Sequence, residues 1–282
     1  MKNFKSTILT VQSLVLILVI SPSRSYATHA WGNYHWARTT TQFTLKLGNQ
    51  LSSSWKSYLS QASSNWNNPA QVGASFTPVL TQIVAAGSRN CGMVSGTTQV
   101  CNKKYGNNGW LGLASIRVSG EHITHGTAKM NDSYFNLPKY GNPNEKLHVM
   151  CQEIAHTWGL DHQSEDGSSQ NSCMDYFSNT DANAGSTLST KPNYHDFEQN
   201  VIIYTHLDSF TTLASGSATS VASNASDSGD PNSWGKLISQ SQSGRSSIYE
   251  RANSDGSIIL THVYWTEEAA SDCPGCDHRF GR

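Results

Sequence analysis

The run from Glu145 to His162 reads Glu-Lys-Leu-His-Val-Met-Cys-Gln-Glu-Ile-Ala-His-Thr-Trp-Gly-Leu-Asp-His, and it concentrates groups that could hold and use a metal ion. Gln152 and His156 are four residues apart. On a helix they project from one face with Cβ atoms about 5–6 Å apart, close enough to grip one ion. Glu153 stands one residue on, placed to reach water at the ion rather than the ion itself. Gly159 lets the helix end and the backbone reverse, because glycine takes positive φ without penalty, and the reversal swings His162 back as a further ligand. A Lewis acid beside a general base is the equipment for activating water against a carbonyl.

Glu153, His156, Gly159 and His162 fall at the spacings of the motif His-Glu-x-x-His-x-x-Gly-x-x-His. The pattern resembles that of the metzincin clan of zinc endopeptidases, with Gln152 standing where the motif has its first His. Ser172-Cys173-Met174-Asp175-Tyr176 resembles the clan's Met-turn, which sets a methionine beneath the metal as an apolar floor. Within the clan, Ile154 to His162 looks most like the matrixin group, although no cysteine-switch segment stands between Thr28 and Phe43. The resemblance spans roughly residues 43–208 in element order, and its sequence-specific part is Gln152 to Tyr176. It implies an α/β (α+β) fold, a twisted mixed sheet with a long active-site helix beneath it. It also implies Zn2+ as cofactor, Glu153 as general base, and a protein or peptide substrate laid along an edge strand, which we place at Gly126 to Asp132.

Gln152 leaves three arrangements open. Zinc is held by Gln152, His156 and His162, with an amide oxygen as a poorer donor than imidazole. Alternatively it is held by the two histidines and an outside ligand, with His122 and His125 as candidates. In the third arrangement the fold persists without catalysis and binds an extracellular partner. His148 cannot replace Gln152, because eight residues of helix put it about 12 Å from the level of His156. Asp161 and Asp166 with Gly167 read as loop caps rather than a calcium site.

Other elements must position these groups. Residues 43–47 alternate as a strand, and Leu51 to Asn65 carries Trp55, Tyr58, Leu59 and Ala62 at helical spacing. The glycine-rich stretch between Cys91 and Cys101 reads as a small disulfide-bounded hairpin. Trp110 to Val118 and Gly120 to Asp132 read as further strands. Asn193 to Asp208 reads as a helix capped by Asn193. Residues 209–233 are small and polar, a linker between a domain at 28–208 and a small C-terminal β segment at 234–282. In that segment, 247–251 and 257–265 flank the hairpin turn Asn253-Ser254-Asp255-Gly256.

Nineteen basic against twenty acidic residues give a formal net charge of −1. That offers no electrostatic footprint for nucleic acid. Residues 1–27 carry Lys2, Lys5, an apolar run and Ser25-Tyr26-Ala27, a secretory signal cut after Ala27; the run is too short to span a bilayer. We therefore expect a secreted monomer that leaves the membrane once the signal is cut. All six cysteines lie beyond the signal, and an exported chain is expected to pair them. Six cysteines allow fifteen pairings. We take the nearest-neighbour set: Cys91–Cys101, Cys151–Cys173 and Cys273–Cys276. Cys151–Cys173 would tie the ligand helix to the Met-turn for about 3 kcal/mol by loop closure, whereas Cys273 and Cys276 could instead be a redox or metal-binding pair. Asn131 and Asn224 begin glycosylation sequons.

Overall fold

The computed structural model describes residues 29–215, 229–273 and 275–280. The signal segment, the middle of the linker and the Asn224 sequon lie outside the described residues. In chain order the elements are β1 (His35–Trp36), β2 (Phe43–Gln50), α1 (Ser53–Trp66), β3 (Val79–Ala85), β4 (Thr97–Lys103), β5 (Trp110–Ser119) and β6 (His122–Asn131). They continue with α2 (Asp132–Phe135), α3 (Pro143–His156), α4 (Tyr194–Ile203), β7 (Lys236–Gln240), β8 (Ser246–Ala252), β9 (Ile258–Trp265) and α5 (Glu267–Asp272). The architecture is a mixed α/β fold on one nine-stranded mixed sheet, ordered β3-β2-β4-β6-β5-β9-β8-β7, with β1 paired to β6. The pairs among β3, β2, β4 and β6 are parallel; β5, β9, β8 and β7 follow antiparallel.

Helices α1 and α3 pack against each other, and α3 lies on β5 and β6. Trp55, Leu59, Ala62 and Trp66 bury the inner stripe of α1. Trp66 donates its indole N–H to the carbonyl of Cys151 on α3, 3.1 Å away. Asn142 caps α3 by accepting from the amides of Asn144 and Glu145, with Pro143 preset for the first turn. Every residue of α3 from Leu147 onward is buried, so this helix runs through the core.

Several sequence expectations change in the structure. The Cys91–Cys101 bridge forms, but its segment is no hairpin: it leads into β4, which pairs in parallel with β2 and β6 inside the sheet. Gly126 to Asn131 is not an edge, because β6 lies between β4 and β5. The antiparallel strand β5 that would border a cleft is itself paired with β9. The hairpin of β8 and β9 forms with Asn253 to Gly256 at its turn, and it extends the main sheet. The other two bridges, Cys151–Cys173 and Cys273–Cys276, are also present. Asn131 is fully buried and its amide nitrogen donates to Gly106, Asn108 and Trp110, so that sequon is closed to a glycan. Among the described residues no helix is long and apolar enough to cross a membrane.

Helix α4 starts with a reciprocal cap: Asn193 accepts from the Asp196 amide, and Asp196 Oδ2 accepts from the Asn193 amide. It stops at Ile203, earlier than the apolar pattern implies, because Thr205 Oγ1 turns back onto the carbonyls of Val201 and Ile202 and Arg38 binds the carbonyls of Tyr204 and His206. Asp196 is fully buried, and burial pushes its carboxyl up to about 7. Its Oδ1 lies 3.9 Å from His29 Nε2. His29 gives its Nδ1 proton to the carbonyl of Asp161, so neutral His29 aims a lone pair at Asp196. Two facing acceptors repel, which favours a proton on the carboxyl.

A folded pKa near 7 lies above the unfolded value of about 3.9, so the folded state binds the extra proton between them, and this stabilisation fades as pH rises through 7. The gap in thermal midpoint between the wild type and Asp196→Asn should therefore shift against the wild type from pH 5 to about pH 7 and level off above that. Parallel pH profiles would refute the assignment.

Candidate metal centre

The end of α3, the reversal after it and strand β9 converge on one point. Helix α3 ends at His156 and Gly159 takes φ 101°, where a Cβ would meet the Tyr34 carbonyl oxygen at 2.4 Å. The reversed chain is pinned by Trp31 donating to the Gly159 carbonyl and by Asp161 donating to that of His29. His162 thereby returns to His156, with ring centroids 4.8 Å apart. The third imidazole is His262, whose ring centroid lies 4.0 Å from that of His156 and 4.6 Å from that of His162. One ring nitrogen from each of the three lies within 4.8 Å of the others.

Strand alternation explains His262. Leu260 and Tyr264 face the main core with it, while Val263 and Trp265 join Trp110, Leu113, Trp234 and Tyr249 in a cluster of their own. In register, His262 stands opposite Ala114 of β5.

The histidines are prepared as ligands. His156 donates Nδ1–H to the carbonyl of Leu160 at 2.8 Å, which leaves Nε2 as a lone pair. That Nε2, both ring nitrogens of His162 and both of His262 are buried without a hydrogen-bond partner. Leaving such groups unmet costs roughly 1–3 kcal/mol each, so a cation shared by three of these nitrogens fits the arrangement. Burial lowers His156 to about 4 and holds His162 and His262 well below the usual range, the latter two helped by neighbouring imidazoles. All three are neutral donors at neutral pH, a ligand set that suits zinc among the borderline divalent metals.

Glu153 is fully buried on the turn that carries His156, and neither carboxylate oxygen has a partner. Burial raises its pKa well above the ordinary range. Gly112 of β5 makes room for it: a Cβ there would lie 2.2 Å from Glu153 Oε1.

Gln152 sits on the same helix face but is committed through its nitrogen. Nε2 donates to the carbonyls of Cys173 and Asp175, while Oε1 has no partner. His148 donates Nε2–H to the same Asp175 carbonyl, so both side chains brace the turn around Met174. Met174 is buried, with its amide on Ser172 Oγ and its carbonyl accepting from Gln163. Tyr176 contacts His162, ring centroids 4.1 Å apart, and hydrogen-bonds to Ser246 of β8.

His122 and His125 do not join this group. His125 contacts Thr124 and Arg117, and burial lowers it to about 4. Asp166 caps its own loop through Ser164 and Ser168. The residue that sequence reading missed is His262. The run Ile258 to Trp265 carries apolar residues on both faces, the mark of a strand covered on both sides, and a histidine within it must point into protein. No protein-family model matches the chain, and no curated protein matches it.

Proposed function

We propose that the chain is a secreted zinc-dependent endopeptidase of metzincin-like design in which His262 supplies the ligand that position 152 lacks. The observation that carries this reading is Glu153, a buried carboxyl with both oxygens unmet, on the helix turn that delivers one of three convergent imidazoles. A carboxyl without a hydrogen-bond partner beside a cation site is placed to exchange a proton with water there. Zinc at these imidazoles would supply Lewis acidity towards a peptide carbonyl and acidify water. Glu153, whose ionised form a cation at these imidazoles would favour, takes the proton from the attacking water and can return it to the leaving amine. His156 is held in the donor tautomer by the Leu160 carbonyl, and Gln152 and His148 hold the Met174 turn in place. Three disulfides fit an oxidising, extracellular setting.

A second reading, a metal-binding protein without peptidase activity, is favoured by one observation: β9 pairs along β5, and His156 and Glu153 are fully buried beneath it. The two readings separate on purified mature protein assayed for zinc and for casein cleavage. The peptidase predicts chelator-sensitive cleavage that falls by roughly 100-fold or more in Glu153→Gln, the usual scale of general-base loss, with zinc content unchanged. Full zinc loading with no cleavage in wild type would reject the peptidase in favour of the second reading.

A further inference from the structure

A second convergence lies where β1 meets the segment after α4. β1 pairs with β6 so that His35 stands beside His122. The segment after α4 brings His206 and Asp208 onto the same spot, clamped by Arg38: its amide donates to Asp208 Oδ2, its carbonyl accepts from the Asp208 amide, and its guanidinium binds the His206 carbonyl.

We propose that His35, His206 and Asp208 form a second cation site, taking a divalent transition metal of the zinc class through two imidazole Nε2 atoms and one carboxylate oxygen. His35 Nε2 lies 3.2 Å from His206 Nε2 and 3.5 Å from Asp208 Oδ1, and His206 Nε2 lies 3.8 Å from that oxygen. Donors bound at 2.0–2.1 Å in a tetrahedron are spaced about 3.4 Å apart, so this triangle already has the dimensions of a filled site. The tautomers agree. His35 gives its Nδ1 proton to the carbonyl of Asn33 at 2.8 Å, so its neutral ring presents a lone pair inward. Asp208 uses Oδ2 on the Arg38 amide and turns Oδ1 to the imidazoles, where His122 Nε2 steadies it at 3.1 Å. The recess is also lined by Gln199, whose two amide atoms are buried without partners. Remaining coordination positions open to solvent beside His206, whose side chain is 60% exposed.

The site would tie β1 to the segment after α4. The chain just before β1 carries Trp31, which lies edge-on to His156 and His262, so this cation would anchor a segment that contacts the other centre. It does not depend on peptidase activity.

The test counts zinc per chain by atomic absorption after chelator stripping and dialysis against zinc chloride. His206→Ala removes an exposed ring and Asp208→Asn keeps an oxygen for Arg38, so both variants should fold, as near-ultraviolet circular dichroism can verify. Each is expected to bind one zinc fewer than the wild type while keeping the zinc that is lost in His262→Ala. Each should also lose part of the zinc-induced rise in thermal midpoint. Equal zinc counts in wild type, His206→Ala and Asp208→Asn would overturn the proposal and leave a proton-sharing histidine pair.

Discussion

Replacing His262 by alanine is expected to strip the ion from the His156 and His162 centre and to abolish any hydrolysis there, although residue 262 lies a hundred positions beyond His162. Outer-shell partners alone commonly cost 10–100-fold in metal affinity, so deleting a direct ligand should cost about 100-fold or more. Collapse of the fold is not the cause to expect. Without metal, the two ring nitrogens of His262 are buried and unmet, at a cost of about 1–3 kcal/mol each. His262→Leu, which fills the space with apolar atoms, should therefore melt no lower than chelator-treated wild type while binding no ion at this centre. His125→Ala should leave zinc content there unchanged, because His125 contacts Thr124 and Arg117 instead. If His262→Ala keeps the zinc of this centre, the ligand set returns to Gln152, His156 and His162.

The spacing in residues 152–162 made two of the three imidazoles of this centre legible from sequence, because a helix and a glycine reversal are local devices whose geometry follows from spacing. His156 and His162 do meet, and the three disulfides pair as nearest neighbours. Helix α1 and the β8–β9 turn were legible for the same reason. What was hidden depends on long-range pairing. No local signal says that a strand after a small-polar linker will return beside β5, and the return decides both the third imidazole and the closure of that edge. Gln152 also becomes intelligible only in three dimensions. An amide can donate two N–H groups, and here both are spent on carbonyls of the Met174 turn. The His35 and Asp208 cluster was invisible for a further reason: its members come from β1 and from the tail of α4, and each alone reads as an ordinary surface or strand residue.

The C-terminal strands should prove inseparable from the rest of the chain. A chain ending at residue 229 would lack Trp234, Tyr249, Leu260, Val263, Tyr264 and Trp265, all of them essentially buried. It would also bare the whole length of β5 from Trp110 to Val118 along its β9 side. Each large apolar side chain contributes about 1.5–3 kcal/mol on burial. Removing this set is comparable to the roughly 5–15 kcal/mol margin of an entire domain. An uncovered, apolar strand edge is in addition a template for aggregation. The truncated chain should accumulate as insoluble or molten material without bound metal. Co-expressing residues 230–282 as a separate chain should restore a soluble complex, because antiparallel pairing and side-chain burial, rather than covalent continuity, hold these strands to β5. A truncated chain that is soluble, melts cooperatively and still holds zinc through His156 and His162 would refute this, and would make β9 a detachable cover over a cleft complete without it.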